Sequence, residues 1–510
     1  MNAPHPSSPA DYILLSDVHL GADLVQHAQP WTISRLLRVA RIDLELSSLL
    51  DHYRATAPAG RRWRLVIAGD LVDFVGMSIS PQDDTTLETP FDAEEHAHGM
   101  GSTRERALHK MRAVARRHDL VFRALTAFVA DGHSLVLVRG NHDVEFYWES
   151  AQEAFVRALL ERAGDTLDDP ELRTAFQARI EFRPWFYYVE NLLYVEHGHQ
   201  YDETCSHHHV LAPLSPRDPG RIGYSFSDIL LRYVVRPTRG LSAEGHENRG
   251  MMDYLRLALS MGWSGATALG MRYLSAVREM FRAWRDHRGE GAQFIRAEQE
   301  RLMALLARPR SMAVDTLRAL AALAATPVTG GAWKILQSVF LDLALGSGVA
   351  VLVLAGLGFF QLTSPGVLPA VAALFGVAFW LWLRGARVHD PRLALRLGAG
   401  RVAQLLPTRF VVMGHTHHPV FEAIGETTTY VNLGAWAEED HDEIGATSTA
   451  PRTHLVIRHL DGVAHAELLT WDTQAGPRPF AGAGGTRAAS AATAAGDPPE
   501  SPAEAPPRAA

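Results

Sequence analysis

Leu65-Val66-Ile67-Ala68-Gly69-Asp70-Leu71-Val72-Asp73 opens on four apolar residues and closes on two carboxylates, with a glycine before the first. A short apolar run bounded by a turn residue reads as a buried strand. Here the strand is 65–68, and it delivers Asp70 from its carboxyl end. The same event recurs along the chain. Residues 12–15 run into Ser16-Asp17-Val18-His19, and 134–138 into Arg139-Gly140-Asn141-His142-Asp143. Residues 192–196 run into His197-Gly198-His199, and 410–413 into Gly414-His415-Thr416-His417. Between them, 36–50 and 107–130 carry apolar residues at helical spacing. Strand, loop and helix in alternation predict an α/β layered fold. Sites in open α/β sheets form beyond the carboxyl ends of the strands, so five strand ends are expected to meet in one pocket.

What those ends carry is chemistry for a cation. Asp17, Asp70 and Asp73 offer carboxylates, Asn141 an amide oxygen, and His19, His142, His197, His415 and His417 imidazoles. Oxygen and nitrogen donors without thiolate suit borderline or hard divalent ions such as Mn, Fe or Zn. Each fragment alone is weak. Asp-x-His is common by chance, and Gly-Asp-x-x-Asp also describes a strand end followed by a helix cap. The set in this order, each member closing an apolar strand, is far more specific.

The motifs Asp17-Val18-His19, Gly69-Asp70-Leu71-Val72-Asp73, Gly140-Asn141-His142-Asp143, His197-Gly198-His199 and Gly414-His415-Thr416-His417 resemble those of the calcineurin-like metallophosphoesterase family. The resemblance covers residues 11–205 and 405–475. It implies a four-layer fold, two facing β-sheets flanked by helices, and a phosphoester hydrolase with two divalent metal ions, Mn, Fe or Zn. Asp17, His19 and His417 would bind the first ion, Asn141, His197 and His415 the second, and Asp70 would bridge them. Such a pair activates a water and clamps a phosphate. His142 would stand beside the phosphate as charge stabiliser or general acid, oriented by Asp73. Gly76-Met77 stands where protein phosphatases of the superfamily carry Arg-Gly, which argues against that activity. His142 stands where hydrolases of nucleotide-linked lipids typically carry Arg, so that activity is not assigned. His199, the run His207-His208-His209, and His96 and His98 read more simply as neighbouring or surface residues. Asn432-Leu433-Gly434-Ala435-Trp436 matches a stretch often seen in the family.

The remainder differs in character. Residues 1–10 read as disordered, with neither a basic nor an apolar signal region. Residues 206–342 form a helical insertion rich in arginine. Residues 343–362 and 367–383 carry no charge and flank the turn Thr363-Ser364-Pro365-Gly366. A span takes about 20 apolar residues, so 343–383 reads as a transmembrane hairpin. His197 and His415 lie on either side of it, which requires an even number of crossings. Lys334 precedes the hairpin, and Arg384 and Arg387 follow it. The positive-inside rule then puts the catalytic part in the cytoplasm, at the cytoplasmic membrane. Cys205 is the only cysteine, which agrees. Residues 476–510, rich in Ala, Pro and Gly, read as a disordered tail. A formal net charge of -8 argues against a nucleic-acid partner and so against a nuclease of the same superfamily. A catalytically vestigial membrane scaffold is the rival from another class, and the complete ligand set opposes it. The anchor points to a phosphoester substrate at the membrane surface, lipid-linked. A cysteine introduced at Ser364 is expected to react with an impermeant thiol reagent only from the side opposite the catalytic part. Reaction from the catalytic side contradicts the hairpin.

Overall fold

The computed structural model describes residues 10–24, 33–58, 60–77, 79, 87–238, 262–308, 312–339, 390–437 and 450–481, with short pieces between 348 and 377. It is a mixed α/β protein with two sheets and many helices. The strands are β1 (Asp11–Leu15), β2 (Trp63–Ala68), β3 (Ser134–Val138), β4 (Ile180–Arg183), β5 (Phe186–Val189), β6 (Leu193–Glu196), β7 (Phe410–Met413), β8 (Val420–Ala423), β9 (Thr429–Asn432), β10 (Thr453–Leu460), β11 (Val463–Asp472) and β12 (Gly476–Pro479). The first sheet runs β12-β11-β10-β1-β2-β3-β4 and the second β5-β6-β7-β9-β8.

The apolar runs are continuous because both faces of each strand are buried. Successive side chains point to opposite faces. Ile13, Leu15, Leu65, Ile67, Leu135 and Leu137 pack outward under helices. Tyr12, Leu14, Val66, Ala68, Val136 and Val138 face inward, onto Leu193, Val195, Phe410, Val412 and Val431 of the second sheet. The outer face of that sheet, with Tyr194, Val411 and Met413, packs against further helices. The order is therefore helix, sheet, sheet, helix.

Helices α1 (Ile33–Ala55), α2 (Ala93–His98), α3 (Arg104–Arg117), α4 (Asp119–Ala130), α5 (Glu149–Ala163) and α6 (Pro170–Gln177) come from the first part of the chain. The insertion adds α7 (Phe226–Leu230), α8 (Gly262–Asp286), α9 (Gly291–Ala307), α10 (Val314–Ala321) and α11 (Ala332–Ser338). Then α12 (Pro391–Leu405) returns to the sheets, where Leu395, Ala399 and Val402 are buried under the second sheet.

Register levels the strand ends. β1, β2 and β3 are parallel, with Leu15 opposite Ile67 and Ala68 opposite Val138. β6, β7 and β9 are parallel too, with Val195 opposite Val412 and Met413 opposite Asn432. Asp17, Asp70, Asn141, His197 and His415 therefore leave the two sheets at one edge.

Three expectations need correction. Residues 78–103, whose polar, acidic and Gly/Pro-punctuated sequence reads as a long loop, are not all loop, because α2 lies among them. Asp92 caps it by accepting from the Glu95 amide at 2.8 Å, and Glu95 takes the Asp92 amide in return at 3.2 Å. Residues 107–130 are not one helix. The break falls at His118, whose ring turns in to bond Asp43 of α1 at 2.7 Å and to accept from the Gly21 amide at 2.9 Å. The expected disordered tail begins too early. Gly476–Pro479 pairs with β11, with Thr470 opposite Arg478. A ladder uses backbone groups, so a stretch poor in large apolar residues can still join a sheet edge. Residues 1–9 and 482–510 lie outside the described residues.

The hairpin expected over 343–383 falls mostly outside the described residues. Its described pieces, 351–357 and 369–374, are helical, and Val351, Leu352 and Leu374 are exposed. Among the described residues no helix is long and apolar enough to cross a membrane.

Candidate metal centre

The loops that follow β1 and β2 are zipped together by backbone. The Val18 and His19 amides both donate to the Asp70 carbonyl at 2.9 Å, and the Leu20 amide to the Leu71 carbonyl at 2.9 Å. The Trp436 and Ala437 amides close on the Asp17 carbonyl at 3.0 and 2.8 Å. These bonds hold the backbone in a conformation that L residues rarely adopt. Asp17, His19, Asp70, His415 and His417 have φ between 52° and 69°, and only three other described non-glycine residues share a positive φ. Left-handed backbone costs roughly 1 kcal/mol or more per residue and persists where surroundings over-determine it, commonly at functional sites.

Two glycines are required by close approach. Gly69 has φ +89°, and a Cβ there would come within 2.5 Å of the His197 ring. A Cβ on Gly140 would stand 2.1 Å from Asp70 Oδ1.

Around these loops the ligand atoms gather. His417 Nε2 lies 3.3 Å and His19 Nε2 3.9 Å from Asp17 Oδ1. His19 Nε2 is also 3.8 Å from Asp70 Oδ2, and His197 Nε2 is 3.0 Å from that same oxygen. Asn141 Oδ1 is 3.0 Å from His197 Nε2. Asp17, His19 and His417 thus form one compact ligand group, and Asp17, Asp70 and His197 another, sharing Asp17. The second sheet is tied to the first by the same residues. His197 Nδ1 donates to the Ala68 carbonyl at 2.8 Å, and the His415 amide to Asp17 Oδ2 at 3.1 Å. With Nδ1 committed to a carbonyl, the lone pair available to an ion is that of Nε2.

His415 sits differently. Its ring centroid is 5.4 Å from that of His197, but its Nε2 is held by Asp202 Oδ2 at 3.1 Å. Asp202, Cys205 and His415 make a separate ligand group. The atom His415 has left for an ion beside His197 is therefore Nδ1. Asp202 was not singled out from sequence. It lies in the loop after His197-Gly198-His199, and nothing in its spacing marks it as a partner of a residue 213 positions away. Cys205 also brings a buried thiol to a donor set expected to hold none.

His142 stands at the solvent side of the cluster, its Nδ1 2.8 Å from Asp73 Oδ1. Asp73 is braced in turn by the Gly76 amide at 2.5 Å. His19, Asp70 and His142 also fall within ligand reach of one another, so His142 borders the site directly. Beneath it, Asp143 accepts from the Gly140 and Leu71 amides at 2.6 and 3.0 Å and so fixes both loops. Asn432 does the same for the His415 turn. It donates to the Gly414 carbonyl at 2.7 Å and accepts from the Gly434 amide at 3.1 Å.

The other histidines stay outside. His199 is buried with its Nε2 on the Gln200 side-chain Nε2 at 2.8 Å. His208 stacks on His287 with centroids 3.6 Å apart. Among the described residues, His207, His208 and His209 join no metal-type group. His96 is exposed, while His98 is half-buried against Tyr233.

Charge explains why the cluster wants a cation. Asp17 is 0% and Asp70 1% exposed. Burial alone would push both carboxyls up, but His197 and the neighbouring histidines outweigh it and hold them below the usual carboxylate range. Burial alone would pull His197 down, but Asp70 and Asp17 hold it up at about 9. Asp143, buried and facing Asp70, is pushed up to about 7. Two buried atoms, Asp17 Oδ1 and His19 Nε2, have no hydrogen-bond partner among the described residues. Buried polar atoms are rarely left so. An anionic oxygen and an imidazole nitrogen facing each other across 3.9 Å fit a divalent ion between them.

No model of a known protein family matches the chain, and no curated protein matches it.

His197 supplies a test. An ion takes the neutral imidazole, and His197 is charged up to about pH 9 in the ion-free chain. Loading Mn²⁺ near neutral pH is therefore expected to release a proton. Apparent affinity should rise with pH, about tenfold per unit for one proton, and level off near 9. The stability His197 gives the ion-free chain runs the opposite way. It is full below 6.5 and is lost as pH rises through about 9. A titration with no proton release and no pH dependence contradicts the assignment.

Proposed function

We propose that this chain is a two-metal phosphoester hydrolase of the calcineurin-like metallophosphoesterase type. The observation that carries the reading is the sharing of buried Asp17 and Asp70 between adjoining ligand groups, with His142 fixed by Asp73 at their solvent side. Divalent ions bound there would supply positive charge against a phosphate and acidify a water.

The chain's own residues do the rest. Asp70 lies between His19 and His197 and is the group able to touch both ions. Asp73 accepts from His142 Nδ1, so Nε2 is the ring nitrogen through which His142 would act on the substrate. The Asp73 carboxylate favours the imidazolium beside it, and that imidazolium can give its Nε2 proton to a departing alkoxide oxygen. The His142 amide donates to Asp70 Oδ1 at 2.8 Å, which locks the acid to the metal cradle. Bond cleavage and proton delivery then share one rigid frame.

The acidic balance of the chain disfavours a nuclease. Intact ligand geometry disfavours a vestigial scaffold. Membrane anchoring through 343–383, with a lipid-linked substrate, is the wider form of the proposal. Its support is the pair of uncharged runs and the apolar side chains exposed at Val351, Leu352, Phe359 and Leu374.

His142→Ala is expected to keep its metals and lose about 10²–10⁴ in turnover on an alkyl or nucleoside phosphodiester. The loss should shrink on a nitrophenyl phosphodiester, whose leaving group needs no proton. A variant that loses metal makes His142 a ligand, and an undiminished rate removes it from the chemistry.

A further inference from the structure

The helix break at His118 puts one imidazole between three parts of the fold. His118 ends α3 and opens α4, with φ −104° and ψ 41°, and its ring is buried. Nδ1 lies 2.7 Å from Asp43 Oδ1 of α1, and Nε2 lies 2.9 Å from the Gly21 amide nitrogen in the loop after β1. A backbone N–H can only donate, so Nε2 is the acceptor and the proton sits on Nδ1. These bonds describe a neutral ring.

The bond to Gly21 matters because of what shares its peptide. The Leu20 carbonyl and the Gly21 amide belong to one planar unit. The carbonyl accepts from the Asp73 amide at 2.9 Å, and the N–H donates to His118 at 2.9 Å. His19 precedes this unit in the chain, and Asp73 Oδ1 holds His142 Nδ1 at 2.8 Å. One peptide thus joins a candidate metal ligand to the carboxylate that orients His142, and His118 fixes its other end. Hydrogen bonds in series polarise one another. The loop is pressed onto α3 at the same place. Gly21 has φ +93°, and a Cβ there would stand 2.8 Å from Val114 Cγ2.

A second group faces the same ring nitrogen. Asp23 Oδ1 lies 3.6 Å from His118 Nε2, beyond hydrogen-bond reach. It has no hydrogen-bond partner among the described residues, on a side chain that is 5% exposed. The other Asp23 oxygen is taken by Arg117, which also lies 3.8 Å from Asp43 Oδ2. Arg162 of α5 is turned to Asp119 and the Ala115 carbonyl. Among the described residues, the charges facing the ring are therefore Asp23, Asp43 and Arg117. Burial alone would pull His118 down, but the two aspartates outweigh it and hold the ring above its ordinary value.

We propose that His118 is a positioning residue of the metal centre with two settings. As the neutral ring it accepts from Gly21 and locks the Leu20–Gly21 peptide between His19 and Asp73. With a second proton, on Nε2, it no longer accepts; it turns to Asp23 and releases the peptide. The proposal rests on the metal-dependent hydrolase reading and adds control of the ligand loop by proton uptake. His118 acts through Gly21, not on the substrate.

The test is Mn²⁺ affinity of the full-length chain at about pH 6 and about pH 8.5, on either side of a raised histidine. Wild type is compared with His118→Ala, His118→Gln and Asp23→Asn. His118→Ala removes the acceptor and should weaken binding about three- to tenfold at the higher pH, the range of one net hydrogen bond. Gln carries an amide oxygen near the reach of Nε2 and does not titrate. His118→Gln should come close to wild type at the higher pH and bind about threefold or more tighter than wild type at the lower. Proton release from His197 is common to both proteins and cancels in the ratio. Asp23→Asn removes the partner of the protonated ring, so it too should bind tighter than wild type at the lower pH, although losing a carboxylate ordinarily weakens cation binding. The proposal is overturned by a His118→Ala that matches wild type at the higher pH, by a wild-type to His118→Gln ratio that ignores pH, or by an Asp23→Asn no tighter than wild type at the lower. If the His118 variants do not fold, Asp23→Asn decides. Mn²⁺ binding without turnover of a nitrophenyl phosphodiester defeats the hydrolase reading instead, and the affinity comparison still decides His118.

Discussion

Two carboxylates, Asp17 and Asp70, are buried together where two sheets meet, and much of the architecture near them serves to hold them there. Burying like charges is costly. The chain meets that cost with five histidines from four separate loops and with amides aimed at the carboxylate oxygens. The His415 amide reaches Asp17 and the His142 amide reaches Asp70. His197 bonds the Ala68 carbonyl. These contacts are also the cross-links between the sheets at this edge, so the site and the sandwich are one construction. The left-handed backbone at five of the ligand positions is the strain left over from that arrangement.

The long insertion is placed by the same constraint. β6 and β7 are parallel neighbours, so the chain must leave at the carboxyl end of β6, beside His197, and re-enter at the far end of β7. Such a crossover needs many residues, and this one is much longer than geometry requires. Its first part stays near the site: Asp202 orients His415. Its last part, α12, covers the outer face of the second sheet. The insertion is therefore tied to the ligand-bearing sheets at both ends.

Strands that deliver ligands were legible in the sequence because each is buried on both faces and so reads as an unbroken apolar run. β3 and β7 match their expected bounds, Ser134–Val138 and Phe410–Met413. Edge strands were not legible. β4 and β5 lie at the edges, β4 with charged residues between its apolar ones and β5 only a four-residue, mostly aromatic run, and β12 has no large apolar residue at all. The helix break at His118 was hidden because the apolar spacing continues through it; a long-range bond to Asp43 decides it. In the site, residues that stand directly after a strand were readable. Those that act through a distant partner were not: Asp202 for His415, and Asp143 for the Gly140 and Leu71 loops. Their roles depend on which loops come together, which no local pattern carries.

In the proposed site Asp70 would join two ions. Elemental analysis of purified, metal-saturated protein tests it most directly, alongside Asp70→Asn, which keeps the shape and removes the charge. Two divalent ions per chain are expected in the wild type, and loss of metal from both positions in Asp70→Asn. A full metal complement in Asp70→Asn, or a wild type that binds none, would contradict it.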